Sequence, residues 1–99
     1  MQTNEWTQKE FLQHKYANEA EGIQTLLVDT VNAPIDGIET VLYNPYVLEK
    51  YPKGTVLVFY CDTGKMTMER LTYYRNRFPG KVCVSLRGGR GYWRGACSL

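Results

Sequence analysis

The run TVLVFY, residues 55–60, limits what this chain can fold into more than any other stretch. Its residues are β-branched, aliphatic or aromatic without polar alternation, the pattern of a strand buried on both faces. Such a strand needs a covering layer on each side, and the remaining sequence supplies the pieces. TLLVD at 25–29 and KVCVSL at 81–86 are further short apolar runs bounded by turn residues, and 39–43 is a shorter strand candidate. Between these runs lie helical segments. Thr7 and Glu10 have the spacing of a capping box, with Trp6 and Phe11 placed as its hydrophobic staple, which predicts a helix over 8–17 with Leu12 and Tyr16 on one face. One or two helical turns are expected at 45–51. A longer helix is expected at 67–78, with Met68, Leu71, Tyr74 and Phe78 sharing a face and Pro79-Gly80 ending it. Gly88-Gly89 open a last short helix carrying Tyr92 and Trp93, and 30–38, with Pro34 and Asp36-Gly37, reads as a loop. Strand and helix in alternation predict an α/β fold, a small parallel sheet of four to five strands with helices on both faces.

Ninety-nine residues, 43% of them hydrophobic, suit one folded domain over 1–99. No stretch approaches the roughly 20 apolar residues of a membrane span, and MQTNEWTQKEF lacks the pattern of a secretory leader, so a cytoplasmic location without membrane partners is expected. Three widely spaced cysteines are not a disulfide framework. The net charge of +2 conceals a division: residues 1–64 hold four Lys/Arg and nine Asp/Glu, residues 65–99 eight and one, hence −5 and +7. The basic part suits either an anionic partner or a solvated face.

The chemistry concentrates at Cys61. In an open parallel sheet, ligands lie beyond the carboxyl ends of the strands. Cys61 stands at that end of the most apolar strand, and Asp62 to Met66 lead into a helix start, where unpartnered N–H groups favour thiolate over thiol and can hold an anion. Cys83, inside VCVSL, and Cys97, in the tail, read as small hydrophobes, Cys83 as part of the core. A carboxylate at Asp62, directly after Cys61, would oppose a thiolate there.

Several other chemistries find no support. A cysteine phosphatase needs Arg six positions after its cysteine to grip phosphate, and here Thr67 stands there, with Arg70 three residues too late. TGKMT lacks the first glycine of a phosphate-binding P-loop, whose place is held by Phe59. His14, the only histidine, sits on the first helix as a surface or half-buried residue, and the cysteines and His14 lack metal-ligand spacing, so no metal is expected. RGGRGYWRG has the composition of an arginine-glycine RNA-binding segment, but the spacing of Gly88, Gly89 and Trp93 reads better as a turn and helix. Nucleic acid is therefore not an expected partner.

VFYCDTGKMT followed by a helix and KVCVSLRGGRGYWRGA together resemble the rhodanese family of sulfurtransferases. Cys61, Gly64 and Thr67 match the family's active-site loop, Leu86, Gly88, Gly89 and Trp93 match its strand-x-Gly-Gly-x-x-x-Trp landmark, and Asp29 matches the aspartate of its first strand. The likeness runs from about residue 7 to 95. It implies a rhodanese-like fold and a Cys61 nucleophile that takes a sulfane sulfur from thiosulfate or polysulfide as a persulfide, without a cofactor. Asp62, Thr63, Gly64, Lys65, Met66 and Thr67 would form the substrate-binding loop. A thiol, cyanide or a protein would accept the sulfur, and the chain would act as a monomer or homodimer. Thr67 would either cap the helix or also donate to the sulfur, and Arg87 and Arg90 would either line the rim or face solvent. The alternatives within the family are a persulfide carrier without turnover and a protein-binding module.

Overall fold

The computed structural model of the chain describes residues 3–94. Five strands, β1 (Glu5–Trp6), β2 (Thr25–Asp29), β3 (Val41–Leu42), β4 (Val56–Tyr60) and β5 (Val82–Leu86), form one sheet in the order β1-β5-β4-β2-β3. Every pairing is parallel, with β4 central between β2 and β5. The α/β class and the parallel sheet follow the sequence reading. β1 is an addition, because two residues ahead of a capping box are too few to display a strand period.

The two-residue period of β4 divides the interior into two cores. Val56, Val58 and Tyr60 join Trp6, Phe11, Leu27 and Val84 on one face. Leu57 and Phe59 join Val28, Leu48, Leu71, Tyr74 and Phe78 on the other. Phe59 and Tyr74 stack with ring centroids 3.9 Å apart. The first core lies under α1 (Gln8–Ala20), the second under α2 (Pro45–Leu48), α3 (Lys65–Glu69) and α4 (Leu71–Arg77). Helices therefore cover both faces, and β4 is buried along its whole length.

Three helix expectations change. α1 starts at the capping box, where the Thr7 N–H donates to Glu10 Oε1 at 2.9 Å and the Glu10 N–H to Thr7 Oγ1 at 3.2 Å, but it runs three residues further than predicted. Leu12 is half-buried, whereas Tyr16 on the same face is 83% exposed. The helix expected at 67–78 begins earlier and breaks at Arg70 into α3 and α4. The break lies between two anchors, Thr67 against the cysteine and Tyr74 against Phe59, and the apolar face continues across it. The final helix is a 3₁₀ turn, Gly89–Tyr92, with Trp93 just beyond it. No helix among the described residues is long and apolar enough to cross a membrane.

Candidate functional site

Cys61 leaves the carboxyl end of β4 and is 3% exposed. The chain turns back at once through Asp62 and Thr63 to Gly64, whose φ of +86° places it in the left-handed region open to glycine at little cost. That turn points the Gly64 N–H at the sulfur, 3.2 Å from Cys61 Sγ. A side chain at Gly64 would also meet the next segment, since its Cβ would lie 2.8 Å from the Gly88 nitrogen and 2.9 Å from the Leu86 carbonyl oxygen.

The Gly88-Gly89 turn is the other wall of the loop. The Arg90 N–H donates to the Cys61 carbonyl at 2.8 Å and the Gly91 N–H to the Asp62 carbonyl at 2.9 Å. Gly88 and Gly89 both have positive φ, and a Cβ on Gly89 would fall 2.2 Å from the Cys61 oxygen. At Gly89 backbone therefore packs directly on backbone, whereas a Cβ on Gly88 would strike the Tyr92 side chain at 2.3 Å; together these account for two adjacent glycines beginning 27 residues after the cysteine in this sequence.

Thr67 is the third position of α3, not its cap; Gly64 occupies the cap and supplies no side chain. The Thr67 hydroxyl lies 3.7 Å from Cys61 Sγ. It is also 2.6 Å from Ser85 Oγ on β5, and both residues are wholly buried. Of the two roles left open for Thr67, capping is excluded and contact with the sulfur is present. Ser85 is not among the expected site residues. The signal for it is a lone hydroxyl in an otherwise apolar strand, which must find a buried partner.

Two opposed effects act on the thiol. Burial pushes it up, but the Thr67 N–H, the Thr67 hydroxyl and the N–H groups of Gly64 and Thr63 outweigh burial and bring Cys61 below the ordinary thiol range. Local donors accomplish this, because α3 is only five residues long and adds little macrodipole. Cys83, in the middle of β5, lacks such donors. Burial pushes its thiol up to about 11, with Arg75 and Lys81 offsetting only part of that rise. Cys97 lies outside the described residues.

The other loop residues are peripheral. Thr63 and Lys65 are exposed and Met66 is half-buried. The Asp62 side chain is 72% exposed, and its carboxylate lies 3.8 Å from Arg90 Nη1. Arg87 is likewise exposed and pairs with Glu5 at 3.6 Å. Asp29, 2% exposed, accepts from the Val31 N–H at 2.9 Å and the Ala33 N–H at 2.8 Å, and so shapes the loop after β2 without reaching the sulfur. His14 is exposed and stacks on Trp6 at 4.1 Å. Among the described residues, no three His, Cys, Asp or Glu side chains converge as metal ligands do. A hollow of about 890 Å³ lies between α1 and the segment after β5 and is lined by Leu12, Tyr16, Tyr92 and Trp93; Cys61 does not line it.

No protein-family model matches the chain. No curated protein matches it either. Among solved structures the chain is similar to a rhodanese homolog from the extremely thermophilic bacterium Thermus thermophilus, with 20% sequence identity and a TM-score of 0.49 over 90% of this chain and 96% of that one.

Proposed function

We propose that this protein is a rhodanese-type sulfurtransferase in which Cys61 carries the transferred sulfur. The observation that carries the reading is the Cys61 sulfur itself, held at the carboxyl end of a parallel strand 3.2 Å from the Gly64 N–H and 3.7 Å from the Thr67 hydroxyl, and biased toward thiolate despite burial.

The Cys61 thiolate attacks the outer sulfur of thiosulfate. The new S–S bond forms as the old one breaks, and sulfite departs with the electron pair. The persulfide carries one negative charge, which the Gly64 N–H and the Thr67 hydroxyl are placed to stabilise. In the second step an acceptor takes the outer sulfur and returns the thiolate: cyanide leaves as thiocyanate, and a thiolate, small or on a protein, leaves as a persulfide. No cofactor enters either step. Asp62 and Thr63 form the turn with Gly64, Lys65 attracts the anionic donor, and Met66 flanks its approach.

The second reading, a carrier loaded by polysulfide rather than by thiosulfate, is favoured by the exposed Asp62 carboxylate directly after the nucleophile. Intact-mass measurement after incubation with thiosulfate, and separately with polysulfide, distinguishes the two. One added sulfur on the parent and none on Cys61→Ser, removed by cyanide, is the expected result. Loading by polysulfide alone selects the carrier, and loading by neither overturns both readings.

A further inference from the structure

Ser85 is the feature of the site that neither the cysteine loop nor the glycine turn explains. It belongs to β5, is wholly buried, and interrupts a strand whose other members are apolar. Its N–H donates to the Asn4 carbonyl at 2.9 Å, as β1–β5 pairing requires, and that bond needs no hydroxyl. The hydroxyl itself turns to Thr67 Oγ1 at 2.6 Å, with the Gly64 carbonyl oxygen at 3.5 Å as its other acceptor. Thr67 Oγ1 in turn reaches Cys61 Sγ at 3.7 Å and the Gly64 oxygen at 3.4 Å.

Two hydroxyl protons are thus shared among a sulfur, two hydroxyl oxygens and one carbonyl, and the sulfur's charge decides their order. Beside an anionic sulfur, Ser85 donates to Thr67, and Thr67 donates to the sulfur. Beside a protonated sulfur the chain reverses: the S–H donates to Thr67, Thr67 to Ser85, and Ser85 to the Gly64 carbonyl. Both arrangements satisfy every buried hydroxyl, as a closed polar network requires. Without Ser85, Thr67 loses its only partner closer than 3.4 Å, and the Gly64 carbonyl competes with the sulfur for the Thr67 proton.

We infer that Ser85 is a positioning residue for Cys61, acting through Thr67 to commit the Thr67 proton to the sulfur whenever that sulfur is anionic. The inference rests on reading Cys61 as the sulfur-bearing nucleophile, and it specifies a residue outside the cysteine loop on which that nucleophile depends.

The test is the pH dependence of Cys61 alkylation by iodoacetamide, followed at the Cys61 peptide by mass spectrometry. This reads ionisation rather than sulfur transfer, so it succeeds or fails independently of whether thiosulfate is a donor. The parent is compared with Ser85→Ala, with Ser85→Cys, which keeps the shape but donates weakly, and with Ser85→Thr, which keeps the hydroxyl. Apart from the thiol that Ser85→Cys introduces, which the peptide readout separates from Cys61, charged and titratable neighbours are the same throughout: Lys65, the Asp62–Arg90 pair and the Tyr74 phenol, which feels the sulfur's charge. Losing one donor at the end of a two-bond chain is expected to move the Cys61 midpoint up by about half a unit to one unit in the Ala and Cys variants, with Thr near the parent. In a Thr67→Val background, Ser85→Ala should produce no further shift. Unchanged midpoints in both the Ala and Cys variants overturn the inference, as does a full shift that persists without the Thr67 hydroxyl.

Discussion

Cys61 and Cys83 are both buried, yet their thiol pKa values are shifted in opposite directions because only Cys61 is surrounded by donors. Alkylation at neutral pH should therefore modify Cys61 readily while leaving Cys83 nearly untouched in the folded protein, as peptide mapping would show. The Cys61 rate should rise with pH through a midpoint lowered by the donors around its sulfur, whereas Cys83 should stay protected until near its raised value of about 11. The two also act on stability in opposite senses. The lowered Cys61 value contributes stability that is present above the unfolded thiol pKa and lost as pH falls through the folded one. The raised Cys83 value contributes stability that is present below the unfolded thiol pKa and lost as pH rises toward about 11. The contrast between these cysteines is legible in sequence, since one precedes a glycine turn and the other has β-branched neighbours. The roles of Thr67 and Ser85 are less so. Sequence alone starts the helix at Thr67, two residues later than it begins, and no local pattern connects β5 to α3.

At the scale of elements, the site is two backbone turns pressed together, and their glycines are the vulnerable parts. Gly89→Ala combines a left-handed backbone with a Cβ driven into the Cys61 carbonyl, and should cost about 2–4 kcal/mol. Gly37→Ala is the control. Its φ is +85°, but nothing lies within 4 Å of the added carbon, so the backbone penalty alone of about 1 kcal/mol is expected. Equal shifts of the two denaturation midpoints would show that turn packing contributes nothing beyond backbone strain. Gly89→Ala should also slow Cys61 alkylation, because the collision is with the cysteine's own carbonyl. The strands that frame this site are legible as uninterrupted apolar runs, the mark of strands covered on both sides. The break at Arg70 is not, because Met68, Leu71, Tyr74 and Phe78 keep a helical spacing across it and tertiary contacts decide where it turns.

Across the whole molecule, the excess of positive charge after residue 64 becomes a position in space. Lys65, Arg87 and Arg90 belong to segments that follow the carboxyl ends of β4 and β5, the edge at which Cys61 sits. Two of these cations are partly offset, Arg87 by Glu5 and Arg90 by Asp62. Asp62 is the acid next to Cys61 in sequence, and under the proposed sulfur transfer it would do two opposing things: repel a dianionic donor and restrain an arginine that would attract one. Its exposure means that water and salt screen both effects, so neither is large. Replacing it with Asn removes the repulsion and releases Arg90 together. The rate of thiosulfate use by Asp62→Asn should rise about three- to tenfold at low ionic strength, a unit charge acting on a dianion through water at several ångströms. That gain should shrink toward parity as salt brings the screening length to a few ångströms. Arg90→Ala should move the rate the other way by a smaller factor, since Asp62 already offsets part of its charge. If Asp62→Asn left thiosulfate use unchanged at every ionic strength while polysulfide loading stayed rapid, Asp62 would not be the barrier, and selectivity for the donor would lie in access to a sulfur that is 3% exposed.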